Sequence, residues 1–218
     1  MYMADNITCR ICIPFYSEFE EAKKCWQKLL THGTHIPGRY IYEGIEFEIE
    51  PRQGTCIHAL RNDLITDYTK TKSTAPLPFD YFFFIDSDVS CKNDIDDVVS
   101  LIKKAEKMKC NIIGGPYLKH RTDKYYVWDK DDNFMPRGKG VQPVAMLGTG
   151  FMCIARRAFQ DLEPPYFYYP KVPGRFYPES EDKNFCKLVG KEIYIDWDIQ
   201  LYHKQRTVNM YNWDLKRG

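Results

Sequence analysis

Apolar residues along the chain recur at distinct spacings, and each spacing predicts an element. Residues 7–15, ITCRICIPF, are a dense apolar run and read as a first strand. Phe19, Ala22, Trp26, Leu29 and Leu30 follow at helical spacing. Ser17, with Glu20 three residues on, predicts a capping box for that helix, and Gly33 its stop. GIEFEIEP alternates with period two, a strand closed by Pro51. Leu60, Leu64 and Tyr68 lie four apart and predict a second helix over 55–69. FDYFFFI, residues 79–85, is apolar without alternation, the pattern of a central parallel strand covered on both faces. Asn93 is expected to cap a third helix, with Asp94, Asp96 and Asp97 in its first turn, where the dipole favours acids. CNIIGGPY reads as a fourth strand.

Residues 1–115 thus alternate strand and helix, which argues for a parallel sheet with helices on both sides and a nucleotide-binding type of half. Residues 116–218 differ. KYYVWDKDDNFMPRGKG reads as a hairpin or lid, and VAMLGTGFMCIA as a strand interrupted by glycines. PPYFYYPKVPGRFYP is a Pro-rich aromatic loop, and KEIYIDWDIQ a last strand before a basic tail. No linker separates the halves, so a single domain over 1–218 with one continuous sheet is expected.

Composition narrows the partners. Among 218 residues, 31 Lys and Arg balance 30 Asp and Glu. No global field therefore draws the chain to nucleic acid or to a membrane surface. No apolar run is long enough to span a bilayer, and no signal peptide is visible, so a cytoplasmic protein is expected. Aromatics reach 15%, enough to fill a core or to line a ligand groove. Of the eight cysteines, Cys9 and Cys12 form a C-x-x-C, but residues three apart on a strand point to opposite faces. All eight are read as reduced packing residues.

The charge pattern then raises a chemical question. FFFIDSDV places Asp86 and Asp88 directly after the most apolar strand, with Ser87 turned away. Ligands of parallel sheets bind beyond the carboxyl ends of the strands. An Asp-rich turn capping the next helix would explain such a pair in an arbitrary loop. Directly after YFFFI, two oxygen donors suit Mg²⁺ or Mn²⁺ shared with phosphate oxygens.

The ordered set of FIDSDV, GTGFMCIARRAF, ESEDKNFC and LYHK resembles the GT-A glycosyltransferases, across nearly the whole chain. IPFYSEF resembles that family's opening nucleotide loop. Length, charge balance and the separate Asp- and Glu-bearing elements are also similar to the first domain of multidomain chlorovirus glycosyltransferases, a likeness that would imply a host cytoplasm.

The resemblance implies an α/β GT-A fold: a Rossmann-like, mostly parallel central sheet flanked by helices, with a smaller acceptor-side β region. It implies transfer of a hexosyl or deoxyhexosyl group from a UDP-sugar to a glycan or other hydroxyl acceptor, with inversion. Asp88 would bind Mn²⁺ or Mg²⁺ directly, Asp86 would hold the ribose or reach the metal through water, and His203 would be a further ligand. Lys204 and Arg206 would lie near the phosphates. Pro14, Tyr16 and Arg52 would line the base and ribose pocket. Arg61 and Asn62 would face the nucleotide and the D-x-D loop, with a solvated helix face as the alternative. Gly148, Thr149 and Gly150 would let a sugar approach the backbone. Glu181 and Asp182 match an acidic pair in which Asp182 would be the base and Glu181 would cap the helix or bind acceptor; Glu179 lies outside the match. The aromatics of 166–177 either stack on acceptor sugars or pack as a lid. Two other classes compete. A sugar-phosphate nucleotidyltransferase usually needs a glycine-rich basic loop that IPFYSEFEEAKK lacks. A non-catalytic carbohydrate-binding module has no need of the acidic pair together with His203.

Overall fold

A computed structural model of the chain describes residues 7–16, 18–66, 79–119, 122–174 and 176–204. In chain order the elements are β1 (Ile7–Phe15), α1 (Glu20–Lys23), α2 (Gln27–His32), β2 (Thr34–Ile36), β3 (Arg39–Tyr42), β4 (Ile45–Gln53) and α3 (Ile57–Thr66). They continue with β5 (Tyr81–Ile85), β6 (Val89–Cys91), α4 (Ile95–Met108), β7 (Ile112–Gly114), β8 (Val127–Trp128), β9 (Val141–Pro143), β10 (Met146–Leu147) and β11 (Phe151–Ala155). A 3₁₀ turn at Arg156–Phe159, then α5 (Glu181–Val189), β12 (Ile193–Asp196) and β13 (Leu201–His203), complete it.

Nine strands form one sheet in the order β2-β3-β4-β1-β5-β11-β7-β12-β9. β1, β2, β4, β5, β7 and β12 run one way, and β3, β9 and β11 the other. The fold is therefore α/β with a mostly parallel central sheet, and the sheet takes strands from both halves of the chain. Two small two-stranded sheets, β10-β8 and β13-β6, stand beside it.

β5 is covered on both faces, as its unbroken apolar run predicts. Tyr81, Phe83 and Ile85 pack with Ala22, Leu29 and the apolar face of α4. Phe82 and Phe84 pack on the other side with Leu64 of α3 and Phe185 of α5. Burying each such side chain contributes about 1.5–3 kcal/mol, so this strand is a rigid base for whatever follows it. One neighbour of β5 differs from the expectation: β11 runs antiparallel to it. That reversal brings the glycine turn before β11 to the same edge as the end of β5.

Other local expectations shift. The first predicted helix is split at residues 24–26 into α1 and α2. Its proposed cap, Ser17, lies outside the described residues, as do Tyr68 and Arg206. Pro51 does not end β4, which continues to Gln53. β3 pairs with β4 only over residues 45–47, so Pro51 faces an open edge, where a missing N–H costs little. Asp94, not Asn93, caps α4, its carboxylate accepting from the Ile95 N–H. The Asn93 N–H donates instead to the Asp97 carboxylate at 3.0 Å. β12 is not the last strand, because β13 follows it. Cys9 and Cys12 do fall in different cores. Seven cysteines are buried, but Cys56 is exposed, with its Sγ 3.2 Å from His58 Nδ1.

Candidate active site

The parallel strands end along one edge of the sheet, and a cleft of about 290 Å³ opens there. β1 delivers Pro14 and Tyr16 to its lining, and β5 delivers Asp86, Ser87 and Asp88. α3 supplies Ile57 and Arg61, α5 supplies Glu181 and Asp182, and β13 supplies His203. Nine residues singled out in the sequence thus meet in one place. Tyr117 and Tyr126 complete the lining and were not foreseen. Their only signal was their position, beside the GG turn and in the hairpin segment.

Arg61 organises one part of the cleft. It is 3% exposed. Its Nη2 donates to Asp86 Oδ1 at 2.8 Å, and its Nη1 donates to Glu181 Oε1. Burial pulls the guanidinium pKa down, and the charges of Asp86, Glu181 and Asp182 more than reverse that. One buried cation thereby ties α3 to the D-x-D loop and to the start of α5. Two charge-assisted bonds from one planar guanidinium to two separate carboxylates suit arginine. Asp86 still has a raised pKa, because burial outweighs Arg61 and the nearby Asp88 charge adds to it.

His203 and Asp88 form a second pair, with His203 Nε2 3.5 Å from Asp88 Oδ2. β13 pairs antiparallel with β6, setting His203 opposite Val89, and the Lys204 N–H donates to the Asp88 carbonyl at 2.8 Å. The other ring nitrogen, Nδ1, lies 2.7 Å from the Leu118 carbonyl, which can only accept. That contact assigns a proton to Nδ1 and turns Nε2 towards Asp88, to which it donates when the ring is protonated. Burial lowers the His203 pKa, but the bonds to Asp88 and Leu118 outweigh it and the net shift is upward. Among the described residues no cluster of three or more His, Cys, Asp or Glu is placed to hold a metal ion.

Asp182 has a different environment. It sits in the first turn of α5 and makes no ion pair among the described residues. Its Oδ1 accepts from the Lys183 N–H at 2.8 Å. Burial and the adjacent Glu181 charge raise its pKa, against the pull of Ser180 and Arg61. Of the two neighbouring acids, Glu181 is neutralised by Arg61, and Asp182 keeps a basic carboxylate facing the cleft.

The glycine turn is shaped by close approach. A Cβ on Gly150 would lie 2.7 Å from Tyr117 Cζ and 3.1 Å from Asp86 Oδ2. The Gly150 N–H donates to the Tyr117 hydroxyl, and the Asp86 N–H donates to the Gly150 carbonyl, both at 3.0 Å. Thr149 is buried behind this turn, and its Oγ1 has no partner among the described residues. It does not line the cleft.

Arg52 and Asn62 also stay out of the lining. Arg52 donates to Glu50 Oε1 at 3.0 Å on β4. Asn62 clamps the aromatic loop: its Nδ2 donates to the carbonyls of His58 and Phe167, at 2.8 and 2.7 Å, and its Oδ1 accepts from the Phe167 N–H. That loop divides in two. Tyr166 and Phe167 are buried, Phe167 stacking on Phe185 at 4.4 Å, whereas Phe176 and Tyr177 are 93% and 76% exposed.

No family model matches the chain, and no curated protein matches it. Solved structures do. A197 from STIV superimposes with a TM-score of 0.58 at 18% identity, covering 91% of this chain and 85% of that one. S. aureus TarS 1–349 in complex with UDP-GlcNAc gives 0.51 at 10% identity, over 91% of this chain and 58% of that one. GalNAc-T7 with UDP, GalNAc and Mn²⁺ gives 0.51 at 10% identity, over 93% and 44%. The chain spans little more than half of TarS 1–349 and less than half of GalNAc-T7. At such identities the likeness is one of fold: the chain adopts the mixed α/β sheet architecture of the GT-A glycosyltransferases TarS and GalNAc-T7, and of A197.

Proposed function

We propose that the chain is a metal-dependent, inverting glycosyltransferase, moving a sugar from a nucleotide-sugar, UDP-linked by preference, to a hydroxyl of a carbohydrate acceptor. One observation carries this reading. The Asp88–His203 pair and the uncompensated carboxylate of Asp182 share one cleft at the carboxyl edge of the sheet.

The donor set fits a divalent cation. A carboxylate oxygen and an imidazole nitrogen suit Mn²⁺. Four carboxylates line the cleft against one arginine, a balance that favours a cation over a bare diphosphate. Asp88 and His203 would hold Mn²⁺ or Mg²⁺. When bound, the ion supplies Lewis-acid neutralisation of the departing diphosphate. Asp86, already oriented by Arg61, is left to accept from the ribose. Tyr16, 45% exposed beside Pro14, presents a ring on which a base can stack.

Asp182 removes the proton of the acceptor hydroxyl. The freed oxygen bonds to the anomeric carbon as that carbon's bond to the phosphate oxygen breaks on the opposite face. Configuration inverts and a nucleoside diphosphate leaves. Glu181 is held by Arg61 and positions the start of α5. In this reading residues 1–115 hold the nucleotide and residues 116–218 the acceptor, within one GT-A domain. The test is release of free nucleotide from UDP-, GDP- and dTDP-sugars in Mn²⁺. Release from a UDP-sugar is expected, and its absence with every donor would overturn the reading.

A further inference from the structure

Tyr126 is held more firmly than a cleft-lining aromatic needs to be. Its backbone N–H donates to the Tyr117 carbonyl at 3.1 Å, and its carbonyl accepts from the Gly148 N–H at 2.8 Å. A Cβ on Gly148 would lie 2.9 Å from Tyr126 Cβ, so the glycine lets the two chains close on each other. The ring is fixed between Tyr117 and Trp128, with centroids 5.1 and 5.9 Å away. Several polar side chains of the same cleft have partners of their own. Arg61 holds Asp86 and Glu181, the Tyr117 hydroxyl receives Gly150, and His203 lies on Leu118 and Asp88. The Tyr126 hydroxyl has no hydrogen-bond partner among the described residues. Tyr126 lines the same cleft as Asp88 and Asp182. Burial and the charges of Asp182, Asp86 and Asp88 raise its pKa, so it remains a protonated donor.

A rigid donor that lines the same cleft as the Asp88–His203 pair and Asp182 is available to a group bound there. We infer that Tyr126 is a specificity-determining residue whose O–H donates to a hydroxyl or amide oxygen of the sugar being transferred. The inference rests on the glycosyltransferase reading and adds to it the residue that senses the sugar, separately from the nucleotide.

The experiment measures dissociation constants by calorimetry in Mn²⁺ for UDP and for UDP-Glc, UDP-Gal, UDP-GlcNAc and UDP-GalNAc. Wild type is compared with Tyr126→Phe, which keeps the ring and removes one oxygen. UDP affinity is expected to stay within twofold. Affinity for the best-bound UDP-sugar is expected to fall about 3–10-fold, the range of one neutral hydrogen bond. Equal loss for UDP and UDP-sugar would make Tyr126 a nucleotide or scaffold contact, and no loss would leave the hydroxyl without a role; either overturns the inference. A wild type that binds UDP but discriminates among no sugars also overturns it while sparing the nucleotide site. A wild type that binds no uridine nucleotide removes the functional reading itself, and the inference with it.

Discussion

At the scale of the residue, the cleft separates two neighbouring carboxylates by giving only one of them a cation. Glu181 lies against Arg61, and Asp182 does not. Removing the proposed base, Asp182, should lower turnover and spare donor binding, because the proton transfer matters only on the way to the transition state. Asp182→Asn is expected to cost about 10²–10⁴-fold in kcat, with an unchanged Kd for UDP by calorimetry. Full retention of turnover would return the first turn of α5 to a purely structural role. The raised pKa of Asp182 fixes a sign as well. Its folded value lies above its unfolded one, so its contribution to stability is greatest at low pH and falls as pH rises through the folded value. Asp182→Asn should therefore melt above wild type at pH 7 and lose that advantage towards pH 4. Arg61 is the opposite case. Arg61→Ala leaves two carboxylates without their buried cation and should cost on the order of 3–5 kcal/mol in urea unfolding; a loss below about 1 kcal/mol would show that water replaces it.

At the scale of the element, part of this arrangement was legible in the order of residues and part was not. The unbroken run at 81–85 announced a strand covered on both faces, and the acids after it lie at the edge where the cleft opens. The helix start at ESED was equally plain. Three-residue strands carry no periodicity, so nothing in the sequence showed β6 and β13 pairing to bring His203 beside Asp88. Arg61 could be read as facing the D-x-D loop or as a solvated helix residue, and its burial and bond to Glu181 appear only once α5 packs opposite it. Asn62 shows the converse. Its amide is engaged by Phe167 and His58. Asn62→Ala should lower stability by about 1–3 kcal/mol and loosen the 166–169 segment, read as faster amide exchange at Phe167, with UDP affinity unchanged. Weaker UDP binding without a stability change would place Asn62 at the nucleotide instead.

At the scale of the whole molecule, a mostly parallel sheet gathers the ends of β1 and β5, the glycine turn before β11 and the start of α5 along one edge. No helix among the described residues is long and apolar enough to cross a membrane. The gathered edge is acidic, and in the proposed function a divalent cation at Asp88 and His203 would convert it into a diphosphate site. Calorimetry of UDP binding to wild type and to Asp88→Ala, in Mn²⁺ and in EDTA, tests that claim most directly. Measurable UDP affinity is expected for wild type in Mn²⁺, at least tenfold weaker binding in EDTA, and metal-independent weak binding for Asp88→Ala with an unchanged melting temperature. Equal UDP affinity for wild type in Mn²⁺ and in EDTA would contradict it.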